Sequence, residues 1–208
     1  GRKKKILNEE INKGLTQILL RITLPFMIIT SFNYTYSKEM SLNMKKTFVY
    51  SLFINFILIF ISNILYLKIE KDKRDILKFV TVFSNCGFMG FPILEGIYGN
   101  VGVLYGSIFN IPFYILIWSY GLVLFSEKKD LQALKRIFYN PGIVSVAIGL
   151  FIFTFSIKIP LIIENSMKLI GNMTTPISMI IIGFMISGIK IKEIFKETIP
   201  KPLKPHPS

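Results

Sequence analysis

The sequence predicts an all-α polytopic membrane protein of six transmembrane helices, the third of them broken, and three observations predict it. Long stretches are apolar on every side rather than on one face, so they cannot be amphipathic elements of a soluble core. Lys and Arg gather in alternate connecting segments, the pattern that sets membrane orientation. One apolar stretch carries an amide, two glycines and a proline within eight residues, Asn85 to Pro92. The chain is 51% hydrophobic and only 18% charged, and its apolar stretches have the ~20-residue length that spans ~30 Å of hydrocarbon.

The apolar runs fall at 15 to 33, 48 to 67, 79 to 97, 103 to 125, 141 to 157 and 170 to 189. They divide the chain into a basic loop over 1–14, a six-span membrane region over 15–189 and a basic Pro-rich tail over 190–208. Alternate segments carry 19 Lys and Arg on one side, with clusters at Arg2–Lys5, Lys71–Arg74 and Lys128–Arg136, against 5 on the other. Because positive loops stay inside, both termini are expected to be cytoplasmic. The net charge of +13 is then mostly a topology signal, which sets nucleic-acid binding aside. The chain starts at Gly1, and Arg2–Lys5 leads into an amphipathic turn (Ile6, Leu7, Ile11) instead of an export signal, so the opening reads as a loop that follows an earlier helix. Pro200, Pro202, Pro205 and Pro207 keep the tail extended.

Catalytic and metal chemistry find little here. The single cysteine, Cys86, and single histidine, His206, stand far apart, which leaves no Cys/His zinc spacing and no Cys-His pair. No Asp or Glu lies at the centre of a span, and Ser84 has no base partner. The reading is not an enzyme, with no cofactor and no metal. Arg21, the only charge well inside an apolar run, reads as a snorkelling side chain or as a counter-ion for an anionic substrate. Tyrosines such as Tyr34, Tyr66, Tyr98 and Tyr139 near span ends fit an interfacial belt.

The informative segment is Phe83-Ser84-Asn85-Cys86-Gly87-Phe88-Met89-Gly90-Phe91-Pro92-Ile93. Pro92 has no N–H and clashes with the carbonyl four residues back, that of Phe88, while Gly87 and Gly90 tolerate non-helical dihedrals. Two readings follow. In one, the helix is broken at membrane depth, where unwound backbone is tolerated only if it is buried or lines a watery cavity. The half-helix starting near Pro92 then turns its positive end to a carboxylate and the Asn85 amide donates to the same anion. In the other, Pro92 only kinks the helix and the glycines serve close packing. Asn110, two residues before Pro112, faces the same cavity or caps a contact between helices. Pro25 and Pro112 read as kinks, Asn140-Pro141-Gly142 as a helix start, and Asn172, Thr174, Thr175, Pro176 and Ser178 as interhelical hydrogen bonding or a pathway lining.

Phe83 to Tyr98 resembles the fourth helix of the auxin efflux carrier family, sharing an N-x-x-x-M-G-x-P pattern at Asn85, Met89, Gly90 and Pro92. Residues 6 to 32, with Leu24-Pro25, resemble that family's second helix, Asn140–Gly149 its N-P helix start, and Pro176–Ser187 its seventh helix. The resemblance implies a ten-helix carrier of two inverted repeats, of which this chain holds helices two to seven. It implies substrate contact at Asn85 and Pro92, with Gly87 and Gly90 as backbone positions and Asn110 as a further candidate. The implied function is a secondary transporter for a small organic anion such as malate or malonate in the plasma membrane, with a proton or sodium as possible coupling ion and a homodimer as possible assembly. The short 126–140 loop matches the compact bacterial members better than the plant ones. The alternatives are a non-transporting scaffold or regulatory partner and, with no filter sequence to support it, a channel.

Overall fold

The computed structural model describes residues 7–125 and 139–187, so the expected basic start at Arg2–Lys5, most of the 126–140 loop and the 190–208 tail lie outside the described residues. Every regular element among the described residues is helical. Helix α1 (Glu9–Ile18) starts where the Asn8 side chain accepts the Ile11 N–H at 2.8 Å, with Glu9 and Glu10 in its positive first turn. It begins well before the apolar run at 15, because a capped amphipathic turn continues the helix past the hydrocarbon.

A five-residue π-turn (Leu19–Thr23) joins α1 to α2 (Leu24–Ser31). Pro25 is the cause: its ring would strike the carbonyl four residues back, and the extra residue of a turn closed by Leu24 N–H on Leu19 O makes room. The long α3 (Lys38–Leu65) follows, capped by Ser37. Next come α4 (Lys71–Val82), a second π-turn (Cys86–Gly90) and α5 (Phe91–Phe125). Helices α6 (Pro141–Thr154), α7 (Leu161–Asn172) and α8 (Thr174–Ser187) complete the described chain. Asn140 caps α6 by accepting from the N–H of Gly142 at 2.9 Å and of Ile143 at 3.3 Å, with Pro141 at the first helical position.

Among the described residues four runs are long and apolar enough to cross a membrane: Glu9–Ser31, Lys38–Leu65, Lys73–Phe125 and Leu161–Ser187. Pro141–Thr154 is a shorter apolar helix. The third and fourth expected spans thus fall in one run, and the fifth is the short helix. That joint run is not straight. Gly99 has φ +61°, a value that favours glycine, and across it the chain folds back. A Cβ on Gly102 would stand 2.5 Å from the Leu94 carbonyl oxygen, and one on Gly106 would stand 3.7 Å from the Phe91 ring. In a continuous helix Phe91 and Gly106 would be about 22 Å apart. The two arms are therefore an antiparallel hairpin whose glycines let them touch.

Helix α3 packs on α5 and α4, whereas α2 packs on α6 and α7; α8 meets α1, α5 and both π-turns. The main core gathers Leu19, Ile28, Phe32, Phe91, Leu104, Phe153 and Ile181 between these groups. A second cluster, Val82, Phe83 and Phe113, joins α4 to the return arm of α5. Small polar residues lie inside and large apolar ones outside: on α3, Ser51, Asn55 and Ser62 are buried while Phe53, Phe56 and Phe60 are about 60% exposed or more. That inversion suits a lipid solvent, where outward apolar side chains lose nothing and inward hydroxyls bond nearby carbonyls. Ser51 donates to Phe109 O at 2.5 Å, in the turn of α5 that precedes Pro112.

Close approach of α6 and α2 depends on Gly149, where an added Cβ would stand 2.6 Å from Cγ of the fully buried Phe32. Gly149→Ala should cost about 1–3 kcal/mol through overpacking, read as a lower unfolding midpoint in detergent. Gly14→Ala, with open space around it on α1, should leave the midpoint unchanged or raise it.

Candidate functional site

The interruption expected between Phe83 and Pro92 is the centre of the candidate site. Helix α4 stops at Val82, and Phe83 (φ −105°, ψ 83°) and Asn85 (φ −78°, ψ 65°) leave helical space. Asn85 then caps the second π-turn: its Oδ1 accepts the Phe88 N–H at 3.2 Å. The Met89 N–H bonds the Asn85 carbonyl at 3.3 Å, and the Phe91 N–H closes the turn on the Cys86 carbonyl. With Oδ1 committed to the backbone, the Asn85 Nδ2 is a donor with no hydrogen bond to the described residues, on an exposed side chain.

Pro92 would leave the Phe88 carbonyl without its helical donor. The hydroxyl of Ser178, on α8, donates to that carbonyl. One turn earlier on α8, Thr175 donates to the Glu95 carboxylate at 2.5 Å, one turn beyond Pro92. Both sides of the break are thereby tied to one helix. Aromatic packing holds the α4 side: Phe83 meets Phe79 at 5.0 Å and Phe113 edge-on at 5.6 Å, and Gly121 leaves space for both rings. Tyr66 and Thr81 share a hydrogen bond of 3.0 Å that ties the end of α3 to α4.

Two cavities flank the broken segment. The first, of about 590 Å³, is lined by Ser84, Asn85, Gly87, Tyr114, Trp118 and Asn140 among others. The second, of about 690 Å³, lies on the other side and includes Thr47, Gly90, Tyr105 and Asn110 in an almost wholly apolar lining. Cys86 lines both. The residues singled out from sequence are therefore divided: Asn85 and Gly87 border one cavity, Gly90 and Asn110 the other, and Pro92 is buried at the start of α5. Asn110 donates to the Gly106 carbonyl at 2.9 Å, and its buried Oδ1 has no partner among the described residues. Arg21 is exposed on the first π-turn and lines neither cavity. Tyr114, Trp118 and Asn140 were not legible as site residues, since the first two look like ordinary apolar-span aromatics and Asn140 like a cap alone.

Apolar runs of spanning length, polar groups turned inward and an interrupted helix bordered by cavities make this an integral membrane protein of the polytopic helical class. The chain belongs to the membrane transport protein family, whose sequence profile matches residues 1–133, the family of auxin efflux carrier-like transporters. It is also similar to an uncharacterized transporter of Methanocaldococcus jannaschii, 24% identical over 197 residues that cover 90% of this chain. The chain spans 64% of the length of that relative. No solved structure matches it. Family and relative point to transport rather than catalysis.

Asn85→Ala removes the cap of the π-turn, and caps of this kind contribute about 0.5–2 kcal/mol. Amide exchange over residues 86–91 should quicken several-fold, with exchange in α3 unchanged.

Proposed function

We propose that this chain is part of a secondary carrier for a small organic anion, with the substrate held at the interruption between α4 and α5. The observation that carries this reading is the Asn85 side chain, whose Oδ1 is bound to the Phe88 N–H while Nδ2, with no hydrogen bond to the described residues, stands beside a cavity of about 590 Å³. An amide N–H is a donor suited to a carboxylate oxygen, and the α5 half-helix adds the positive end of its dipole. The Ser84 hydroxyl and the Asn140 amide border the same cavity and add further donors. Aromatic neighbours Tyr114 and Trp118 supply apolar surface for the body of an organic acid.

The topology that goes with this reading has six crossings. The Lys73–Phe125 run contributes two, turned at Gly99, and Pro141–Thr154 contributes one. The basic segments at both ends then face the cytoplasm across the plasma membrane. In the ten-helix inverted-repeat design the chain supplies helices two to seven, and a second crossing segment completes the site. The 64% coverage of the archaeal relative supports that assignment. Malate and malonate are the substrate size considered, with proton or sodium coupling and a homodimeric assembly as parts of the same proposal.

Asn85→Leu in the intact carrier should abolish uptake of radiolabelled malonate into membrane vesicles while the protein still inserts. Flux at the wild-type level in that variant removes Asn85 from the mechanism. Saturable carboxylate binding that survives in Asn85→Leu would place the substrate elsewhere.

A further inference from the structure

Phe88 is held at both of its backbone polar groups by side chains rather than by a regular helix. Its N–H goes to Asn85 Oδ1 at 3.2 Å, and its carbonyl, which has no proline N–H to receive, takes the Ser178 hydroxyl. The two groups belong to successive peptide units that share the Phe88 Cα, so the bonds clamp Phe88 from both sides, Ser178 at its carbonyl and Asn85 at its N–H. Ser178 is fully buried, so its hydroxyl is held in place and shielded from competing solvent.

On the far side of Pro92 the same helix makes a second tie. Thr175 precedes Ser178 by three residues and so lies on the same face of α8. Its hydroxyl donates to Glu95, three residues past Pro92. The π-turn before the proline and the α5 half-helix after it are thus pinned separately, one hydroxyl each, to neighbouring turns of α8. Helix α8 is itself seated in the main core through Ile177 and Ile181, and the last turn of α7 just before it stands so near α2 at Gly171 that an added Cβ would be 3.0 Å from the Met27 backbone. The reference surface for the break is therefore fixed to the main core.

We infer that Ser178 and Thr175 are positioning residues: α8 sets the angle between the two halves of the broken segment and, through Phe88, the direction in which Asn85 presents its side-chain N–H. The orienting effect on the substrate rests on the proposed anion site at Asn85, but the control of the segment's geometry does not. Neither hydroxyl touches the substrate in this arrangement.

The test uses Ser178→Ala, which deletes one donor, and Thr175→Val, which keeps the shape of threonine without its hydroxyl. Thr175→Ser serves as the conservative rescue. All are made in the intact carrier in lipid nanodiscs, with malonate as the probe. Ser178→Ala and Thr175→Val should each weaken malonate binding by fivefold or more and speed amide exchange over 84–97 about tenfold. Exchange in α3 should stay near wild type, and Thr175→Ser should restore both readouts. A merely structural role would speed exchange in α3 as much as over 84–97 and would not select the anion. Wild-type exchange over 84–97 in both deletions overturns the inference, as does malonate affinity unchanged by them when the wild type binds malonate. If the wild type binds no malonate, the anion reading fails by itself, and the exchange pattern with its rescue decides the positioning role.

Discussion

In hydrocarbon a backbone carbonyl without a donor costs several kcal/mol, and one such carbonyl organises this structure. Pro92 cannot satisfy Phe88, so a serine from a helix ninety residues further on does. The demand for that partner brings α8 against the break. Similar demands recur at the other intramembrane prolines. Before Pro25 the helix widens into a π-turn, and before Pro176 it is interrupted at Met173. Near Pro112 the helix stays continuous, with Ser51 reaching from α3 to the preceding turn. Pro25 is thus met by an added residue, Pro176 by an interruption and Pro92 by a borrowed hydroxyl.

Packing follows the same solvent logic. With no water to expel from between helices, close contact comes from residues small enough to let backbones or rings approach. Gly149 receives the Phe32 ring, Gly171 the Met27 backbone, and Gly102 the Leu94 carbonyl. The buried hydroxyls of Ser31, Ser107 and Ser145 are satisfied by carbonyls of their own helices, so they occupy the interior without a cross-helix partner. Ser178 and Ser51 differ because they reach another helix.

Much of this was legible in residue order. The spans follow from uninterrupted apolar length, and the break from two glycines and a proline around Asn85. Even the orphaned carbonyl could be named as that of Phe88, because proline chemistry is local. Its partner could not. Ser178 stands among Asn172, Thr174, Thr175 and Ser178, all plausible interhelical donors, and only the packing of α8 on the break selects it. Asn110 shows the opposite limit: its nearness to Pro112 suggested either the same cavity as Asn85 or a contact between helices, and it lines the second cavity instead. The early start of α1 escaped because hydropathy marks where lipid begins, whereas the Asn8 cap marks where the helix does.

The reversal at Gly99 has a mechanical consequence. A turn made by one left-handed glycine leaves no slack loop, and Gly102 and Gly106 seat the returning arm directly on the half-helix. Close-packed interiors transmit displacement rather than absorb it. The short arm and the long arm therefore form a single stiff lever with Gly99 at one end. A tilt of the half-helix by a bound solute would be carried along α5 to Phe113, Tyr114 and Trp118, which form the opposite wall of the cavity that holds Asn85. Floor and wall would then move as parts of one body, so the spacing between them would hold while the whole wall of the cavity shifts.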